Sequence, residues 1–140
     1  MNIVCPKCFA TNRLPDNKEI NRATCGKCKA DLLDNSPVEL NPENYQKFLQ
    51  NNDIPVVVDF WAPWCGPCVM MAPNFKEASR EFPLRVRFAK VNTQDFPTLS
   101  QPYGIRGIPT MIVFRGGVEV DRVSGALSTP QIIQWINSVV

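Results

Sequence analysis

Histidine is absent from the 140 residues of this chain. The most common general base in proteins is therefore missing, and any nucleophile in the sequence must lose its proton to another group. No stretch approaches the roughly 18 apolar residues of a membrane span, and the first residues lack the charged and apolar regions of a secretory signal. A glycine-rich phosphate-binding loop is also missing, so we expect no bound organic cofactor.

Charge of either sign is nearly balanced, with 15 lysine and arginine residues against 13 aspartate and glutamate residues and a formal net charge of +2. So small an excess does not predict electrostatic capture of nucleic acid or of a membrane surface. Together with the missing signal and span, it favours a cytoplasmic protein that binds neither nucleic acid nor membrane, and we expect a monomer. In the cytosol, paired cysteines are more often catalytic or metal-binding than structural disulfides.

The six cysteines of the sequence form three Cys-x-x-Cys pairs. Two pairs lie in a polar N-terminal segment, and the third follows an apolar run rich in β-branched residues that is typical of a buried strand. In chain order the pairs are Cys5 with Cys8, Cys25 with Cys28, and Cys65 with Cys68. The sequence therefore predicts two kinds of site in two domains, residues 1–35 and residues 36–140.

The first two pairs predict a zinc site. Two residues between ligands allow a tight turn that aims both sulfurs at one ion, and a chain below roughly 40 residues usually needs a metal or disulfides to fold. Four thiolates would fill the coordination shell, so we expect a structural Zn²⁺, one per chain, and not a catalytic one. Two additional redox pairs, or an iron site of the rubredoxin type, are the alternatives. The expected ligands are Cys5, Cys8, Cys25 and Cys28.

The alternation of apolar runs and turn residues after residue 36 predicts an α/β fold. An unbroken run at residues 56–61 predicts a central strand, and Asn41-Pro42 predicts the start of the helix before it. Gly116-Gly117 predicts a hairpin. The other predicted elements are a helix from the third cysteine pair to about residue 82, strands at 86–91, 110–114 and 118–123, a short helix around 95–100, and a last helix from residue 129. This order implies a mixed central sheet with helices on both sides.

The third cysteine pair is suited to electron exchange. It lies where a predicted strand leads into a helix, and the free N–H groups at a helix N-terminus favour a thiolate and lower its pKa. Cys65 is thus the expected nucleophile, and Cys68, one turn further in, is expected to resolve the mixed disulfide. Pro67 restrains the turn between them. The alternative for an isolated Cys-x-x-Cys is half of a metal site.

Two segments resemble motifs of the thioredoxin family. The run from Phe60 to Cys68 (FWAPWCGPC) is similar to the family's active-site signature, and residues 105–110 (IRGIPT) are similar to its second loop. The likeness extends over about residues 38–140. The cysteine-rich N-terminal segment resembles that of the zinc-containing thioredoxin 2 type. The resemblance implies a thioredoxin fold with a small N-terminal zinc-ribbon-like module.

The resemblance also implies roles for residues outside the cysteine pair. Asp59, Lys90 and Gly125 fall where the family has its aspartate, lysine and glycine. Burial in an apolar strand should raise the pKa of Asp59 and let it exchange a proton with Cys68; the alternative is a core acid that only forms hydrogen bonds. Lys90, at the end of its predicted strand, would pair with Asp59 or, alternatively, extend into solvent.

A shallow apolar surface around the cysteine pair is implied for binding a client chain. Pro109 matches the family's cis-proline, which leaves the backbone of Ile108 free to pair with an extended peptide. Trp61 and Trp135 are expected to serve packing only. Val69 is a departure, because the family commonly has lysine or arginine after the second cysteine. The residues expected to bind substrate are Trp64, Gly66, Pro67, Gly107, Ile108, Pro109 and Gly125.

The resemblance implies a protein-disulfide reductase that acts on disulfide-containing client proteins. A thioredoxin reductase, an NADPH-dependent flavoenzyme, would restore the dithiol. Gly66-Pro67 places no positive charge beside the thiolate, which favours an electron donor over an oxidant. Two other functions stay open: an adaptor that binds partners through its zinc ribbon, and a chaperone that becomes active when oxidation releases zinc.

Overall fold

A computed structural model describes residues 1–16 and 20–140, so residues 17–19 of the expected N-terminal module lie outside the described part. The strands are β1 (Asn2–Val4), β2 (Thr11–Arg13), β3 (Val38–Glu39), β4 (Val56–Trp61), β5 (Arg87–Asn92), β6 (Thr110–Arg115) and β7 (Val118–Ser124). The helices are α1 (Tyr45–Asn51), α2 (Gly66–Ser79), α3 (Pro97–Ser100) and α4 (Thr129–Val139), with one 3₁₀ turn at Gln101–Tyr103. None of the described helices is long and apolar enough to cross a membrane.

The main sheet has five strands in the order β3-β5-β4-β6-β7, and β1 and β2 form a separate hairpin. Strands β3, β5 and β4 run parallel, whereas β6 pairs antiparallel with both β4 and β7. The central strand β4 is buried from Val56 to Phe60. An unbroken apolar strand of this kind is stable only when both faces of the sheet are covered. The predicted mixed sheet flanked by helices is confirmed.

Alternate residues of β4 belong to two different cores, because successive side chains point to opposite faces of a sheet. Val58 belongs to the core that includes Phe48 of α1. Val57 belongs to the core that includes Phe75 of α2. The same alternation places Asp59 on the α2 side of the sheet, and α2 is the helix that carries the second cysteine of the redox pair.

Two helices begin later than predicted. The side-chain oxygen of Asn41 accepts hydrogen bonds from the backbone N–H groups of Glu43 and Asn44 at 2.8 and 3.0 Å, but α1 begins only at Tyr45. The sequence thus identifies a capping residue, and this residue stabilises a turn that precedes the helix. The short helix α3 begins at Pro97, because proline is accommodated at the first position of a helix and not further inside.

The N-terminal hairpin packs against α1 and the residues that follow it. The backbone N–H of Asn2 donates to the carboxylate of Asp53 at 2.6 Å, and the N–H of Asp53 donates back to the carbonyl of Asn2 at 2.9 Å. The N–H of Val4 donates to the side-chain oxygen of Asn52 at 2.8 Å. Phe9 lies edge-on against α1. These contacts join the two predicted domains. The domain boundary between residues 35 and 36 stays a prediction.

A buried arginine joins the same two parts. Arg87, the first residue of β5, is 1 % exposed. Its guanidinium donates to the carbonyl oxygens of Val4 and Asp34, at 3.5 and 3.3 Å, and to the side-chain oxygen of Asn35 at 3.5 Å. Burial of a cation is unfavourable unless its donors are used, so this side chain holds the N-terminal segment to β5.

Replacing Arg87 by methionine is expected to loosen the N-terminal segment. The change keeps the apolar stem but leaves the carbonyls of Val4 and Asp34 without their donor, a loss of about 2 kcal/mol. Hydrogen exchange should therefore increase in residues 1–35 more than in the main sheet. The neighbouring Arg85 is exposed and lies over the ring of Phe82, so Arg85→Met is the matched control. Equal protection in the two variants would show that Arg87 does not hold the segment.

Candidate functional site

The third cysteine pair lies at the junction of β4 and α2. Cys65 is the N-cap of α2, and its sulfur accepts a hydrogen bond from the backbone N–H of Cys68 at 3.3 Å. The two cysteines form a disulfide, with their Cα atoms 5.3 Å apart. Cys65 is 5 % exposed and Cys68 is 1 % exposed. The helix N-terminus therefore directs an N–H group at the more accessible sulfur, where it stabilises negative charge.

A loop with a cis peptide bond borders this disulfide. The bond lies between Ile108 and Pro109, and the carbonyl oxygen of Ile108 is 3.6 Å from the sulfur of Cys65. The carbonyl of Pro109 accepts a hydrogen bond from the N–H of Gly125 at 2.9 Å, which joins the start of β6 to the end of β7. The structure thus brings the second sequence motif, some forty residues further along the chain, against the disulfide of the first.

The surface beside the disulfide is open. A Cβ added at Gly66, Gly107 or Gly125 would meet no heavy atom within 4 Å. Trp64 is 71 % exposed, and Pro67 is exposed in the first turn of α2. These glycines leave room for another backbone to approach, as expected for a surface that binds an extended chain.

Sequence reasoning missed Met70 as part of this surface. It is 74 % exposed, and the neighbouring Val69 is 54 % exposed, so two apolar side chains follow the redox pair on the outside of α2. The signal was available in helical spacing, because Cys68 and Met71 are buried and the two positions between them must face outward. Val69 and Met70 thus add apolar surface to the outside of α2 after the redox pair.

Asp59 is fully buried in β4, and neither of its carboxylate oxygens has a hydrogen-bond partner among the described residues. Burial raises the pKa of Asp59 to about 7; the positive charge of Lys90 opposes this rise and the negative charge of Glu39 adds to it. A carboxyl that exchanges its proton near neutral pH can act as an acid or a base in a chain without histidine. The alternative, a core acid that only forms hydrogen bonds, would need a hydrogen-bond partner for Asp59, and residues 1–16 and 20–140 provide none.

Lys90 lies beside Asp59 in the sheet, but its ammonium group lies over an aromatic ring. The two residues are direct partners in the pairing of β4 with β5, and Nζ of Lys90 is 4.4 Å from the ring centre of Trp61. No ion pair between Lys90 and Asp59 is present among the described residues. Lys90 does not end its strand, because β5 continues to Asn92, and its side chain is half-buried.

The other four cysteines lie together at the N-terminal hairpin. Their sulfur atoms are all within 4.8 Å of one another, with Cys5 and Cys28 3.5 Å apart and Cys8 and Cys25 3.7 Å apart. The backbone N–H of Cys28 is the main cause that lowers the pKa of Cys25 to about 6. The backbone N–H of Ala30 opposes a rise in the pKa of Cys28, but burial and the neighbouring sulfurs together raise it. It is thus the arrangement of four sulfurs around one point that could hold a metal ion.

The two cysteine turns repeat the same backbone geometry. In the first, the N–H of Cys5 donates to the carbonyl of Ala10 at 2.9 Å, and the N–H of Phe9 donates to the carbonyl of Cys5 at 3.0 Å; the second turn has the same distances, beginning at Cys25. Phe9 and Lys29 take equivalent left-handed conformations, with φ of 62° and 68°. In each turn the N–H two residues after the first cysteine points at its sulfur, 3.4 Å away. Each pair is thus shaped to direct both sulfurs to one point.

Two protein-family models match this chain. The model described as Thioredoxin matches residues 36–138, and the model described as Thioredoxin 2, N-terminal, matches residues 4–30. The chain belongs to the thioredoxin family. Thioredoxin C-3 of Corynebacterium nephridii is 44 % identical over 137 residues, which cover 98 % of this chain and 94 % of that relative. The thioredoxin of Pyropia yezoensis is 39 % identical over 73 % of this chain and 95 % of its own length.

A solved structure shows the same fold. The crystal structure of a thioredoxin from Malassezia sympodialis, described as a member of a new pan-allergen family, is similar with a TM-score of 0.66 and 32 % identity. The match covers 75 % of this chain and 91 % of the Malassezia chain. The present chain, as a thioredoxin, is a thiol–disulfide oxidoreductase that acts as a protein-disulfide reductase. Its disulfide-bonded Cys65 and Cys68 fit the active-site pair of the family. Disulfide-containing proteins and a thioredoxin reductase are the general kinds of partner of the family.

Replacing Asp59 by asparagine should change how the stability of this thioredoxin depends on pH. The folded chain keeps the carboxyl protonated up to about pH 7, whereas the unfolded chain ionises it near its ordinary pKa of 3.8. Between these values a rise in pH favours the unfolded wild type. We expect the free energy of unfolding of Asp59→Asn to rise relative to that of the wild type by on the order of 4 kcal/mol between pH 4 and pH 8.

Chemical denaturation of the oxidised proteins at several pH values measures this difference. Glu81→Gln removes an exposed carboxylate and serves as the control, for which we expect a constant difference from the wild type. A constant difference for Asp59→Asn as well would contradict a raised pKa in the fold.

Proposed function

We propose that this thioredoxin reduces disulfides of cytoplasmic proteins, with Cys65 as the attacking thiolate and Cys68 as the resolving thiol. The observation that carries the assignment is the N-cap position of Cys65, where the N–H of Cys68 points at its sulfur while Cys68 itself is buried. The four further cysteines are grouped as metal ligands would be, and not as disulfides, which fits a reducing compartment.

The reaction proceeds in two exchanges. The thiolate of Cys65 attacks one sulfur of the client disulfide, forms a mixed disulfide and releases the other client sulfur as a thiolate. Cys68 then loses its proton and attacks the sulfur of Cys65, which frees the second client sulfur. The client has gained two electrons and two protons, and the disulfide of Cys65 and Cys68 remains. A thioredoxin reductase, an NADPH-dependent flavoenzyme, returns the pair to the dithiol.

Asp59 is proposed to accept the proton of Cys68 in the second exchange. It lies on the α2 side of the sheet, is buried without a hydrogen-bond partner among the described residues, and has its pKa raised to about 7. A carboxyl whose pKa lies near the working pH is partly unprotonated, and it is also basic enough to take a proton from a thiol. Lys90, whose charge favours the ionised carboxyl, is proposed to tune this base.

The client chain is proposed to bind along the loop that precedes β6. The backbone of Ile108 beside the cis-proline Pro109 would pair with an extended segment, and the open space at Gly107 and Gly125 would admit it. Trp64 would cover the other side of the mixed disulfide, next to Gly66 and Pro67, which are exposed at the start of α2. We propose that the protein acts as a monomer.

The N-terminal quartet is proposed to hold one structural Zn²⁺ through Cys5, Cys8, Cys25 and Cys28. The repeated turns and the N–H groups aimed at the first sulfur of each pair suit thiolate ligands. Bound zinc would supply cross-linking and not catalysis, since four thiolates leave no position for water or substrate.

A single-turnover reaction tests the proton acceptor. Dithiol protein is mixed with a peptide disulfide, and the fluorescence of the tryptophans beside the pair reports its oxidation across a range of pH. We expect an inflection of the rate near neutral pH in the wild type. For Asp59→Asn we expect this inflection to be lost and the rate to fall by about a hundredfold, the lower end of what a positioned base contributes. An unchanged profile in Asp59→Asn would remove Asp59 from this role.

A further inference from the structure

Three charged residues form one row across the parallel half of the sheet. Glu39 of β3 is the direct partner of Lys90 in β5, and Lys90 is the direct partner of Asp59 in β4. Directly opposed residues of neighbouring strands point to the same face. One lysine therefore lies between two carboxylates, with Glu39 at the outer strand of the sheet and Asp59 at its centre.

The row leads from the interior to the solvent. Asp59 is fully buried, Lys90 is half-buried, and Glu39 is exposed at the edge of the sheet. Glu39 and Lys90 also line a surface cavity of about 350 Å³ whose opposite wall is formed by Ala72 and Pro73 of α2. Since α2 carries Cys68 one turn earlier, the cavity lies between the resolving cysteine's helix and the charged row.

Among the described residues, Lys90 forms an ion pair with neither Glu39 nor Asp59. Its ammonium group lies over the ring of Trp61. The other two charges of the row therefore act on Asp59 in opposite directions: the ammonium of Lys90 favours its ionised form and the carboxylate of Glu39 favours its protonated form.

We propose that Glu39 is a positioning residue for disulfide exchange, which opposes Lys90 and so sets the pH range in which Asp59 takes the proton of Cys68. This inference rests on the proposed role of Asp59 as proton acceptor. Glu39 touches neither the client nor the sulfurs; it acts through the charge of the row. Its position at the edge of the sheet lets the buried base respond to a group in contact with solvent.

Other charged groups surround Glu39, and they define which residue can serve as a control. Lys76 of α2 lines the same cavity as Glu39 and Lys90. A second cavity beside Glu39 is lined by Lys7 and Asp34, and Asp95 follows β5. Asp95 accepts a hydrogen bond from Asn92 at 3.2 Å. Burial raises the pKa of Glu39 and the negative charge of Asp95 adds to this rise, so Asp95 acts on the row and does not serve as a control. Glu43→Gln removes an exposed carboxylate from the same segment as Glu39.

The pH profile of the single-turnover reaction tests the proposal, together with a ¹³C NMR titration of the Asp59 carboxyl in the oxidised protein. We expect Glu39→Gln to shift both inflections to lower pH and Lys90→Gln to shift both to higher pH, whereas the control Glu43→Gln leaves them in place. A residue with a purely structural role would change the rate without moving the inflection.

The failures of the two proposals can be told apart. If Asp59→Asn abolishes the kinetic inflection and Glu39→Gln leaves both inflections at their wild-type positions, the proton acceptor stands and the role of Glu39 is overturned. If the kinetic inflection persists in Asp59→Asn, the proposed acceptor is wrong and the role of Glu39 in exchange falls with it.

Discussion

Replacing Cys65 by serine is expected to lower the reduction of insulin disulfides to background, a loss of about a thousandfold or more. The hydroxyl of serine does not ionise at neutral pH, and the N–H of Cys68 that stabilises a thiolate at this N-cap cannot make it do so. The measurement is NADPH oxidation with a thioredoxin reductase and insulin, at equal protein concentrations.

The matched control is Cys68→Ser. This variant keeps the accessible thiol of Cys65 but has no buried thiol to release the client, so it should capture insulin or a peptide disulfide as a stable mixed disulfide and fail to turn over. Non-reducing electrophoresis detects the captured client. Turnover by Cys65→Ser, or capture through Cys68 alone, would reverse the assigned roles.

Replacing Cys25 by serine should abolish metal binding and unfold the N-terminal segment. The buried core around the quartet consists of Cys5, Ala23, Cys25 and Leu32, which is too small to fold without a cross-link. In small zinc-finger peptides the metal contributes about 10–16 kcal/mol, and folding and binding are one event. We expect zinc to fall from about one ion per chain to almost none, with rapid proteolysis before residue 36.

The control for this prediction is the double variant Cys65→Ser/Cys68→Ser. It removes the redox pair, which the structure places in a separate cluster with Ala62, and should retain its zinc. Far-UV circular dichroism of Cys25→Ser should keep the helical signal of the main domain. Zinc retained by Cys25→Ser, or lost from the double variant, would show that the two cysteine sets are not independent.

Local signals in the sequence were sufficient for the elements that position the redox pair. The apolar run of β4 indicates a strand buried on both faces, and the cysteine spacing at residues 5–8 and 25–28 indicates two turns that converge on one point. The β4 run and each single cysteine turn lie within ten residues, so local chain geometry favours them. The mixed sheet followed from the order of such patterns, whereas the family followed from the resemblance of residues 60–68 and 105–110 to the motifs of the thioredoxin family.

What the sequence did not predict depends on pairing between distant residues. Strand β3 has only two residues, Val38 and Glu39, and exists because it pairs with β5, about fifty residues later. The burial of Arg87 likewise requires carbonyl acceptors from the N-terminal segment. A charged residue in a sequence window gives no sign of such partners, and register across strands is set by the whole sheet.

The position of Lys90 shows the same limit. Its alignment with Asp59 was available from the family resemblance, but the ring of Trp61 beneath its ammonium group and the carboxylate of Glu39 on its other side follow only from the register of three strands. The roles of these residues in the reaction stay predictions, and the pH profiles of their variants test them.

Native mass spectrometry of the oxidised and the reduced protein tests the central claim most directly, because it counts bound metal and hydrogens together. We predict one zinc ion per chain in both states and a mass difference of two hydrogens, which peptide mapping assigns to Cys65 and Cys68. Loss of zinc on oxidation, or a disulfide that includes any of Cys5, Cys8, Cys25 and Cys28, would contradict a redox pair that works independently of a structural metal site.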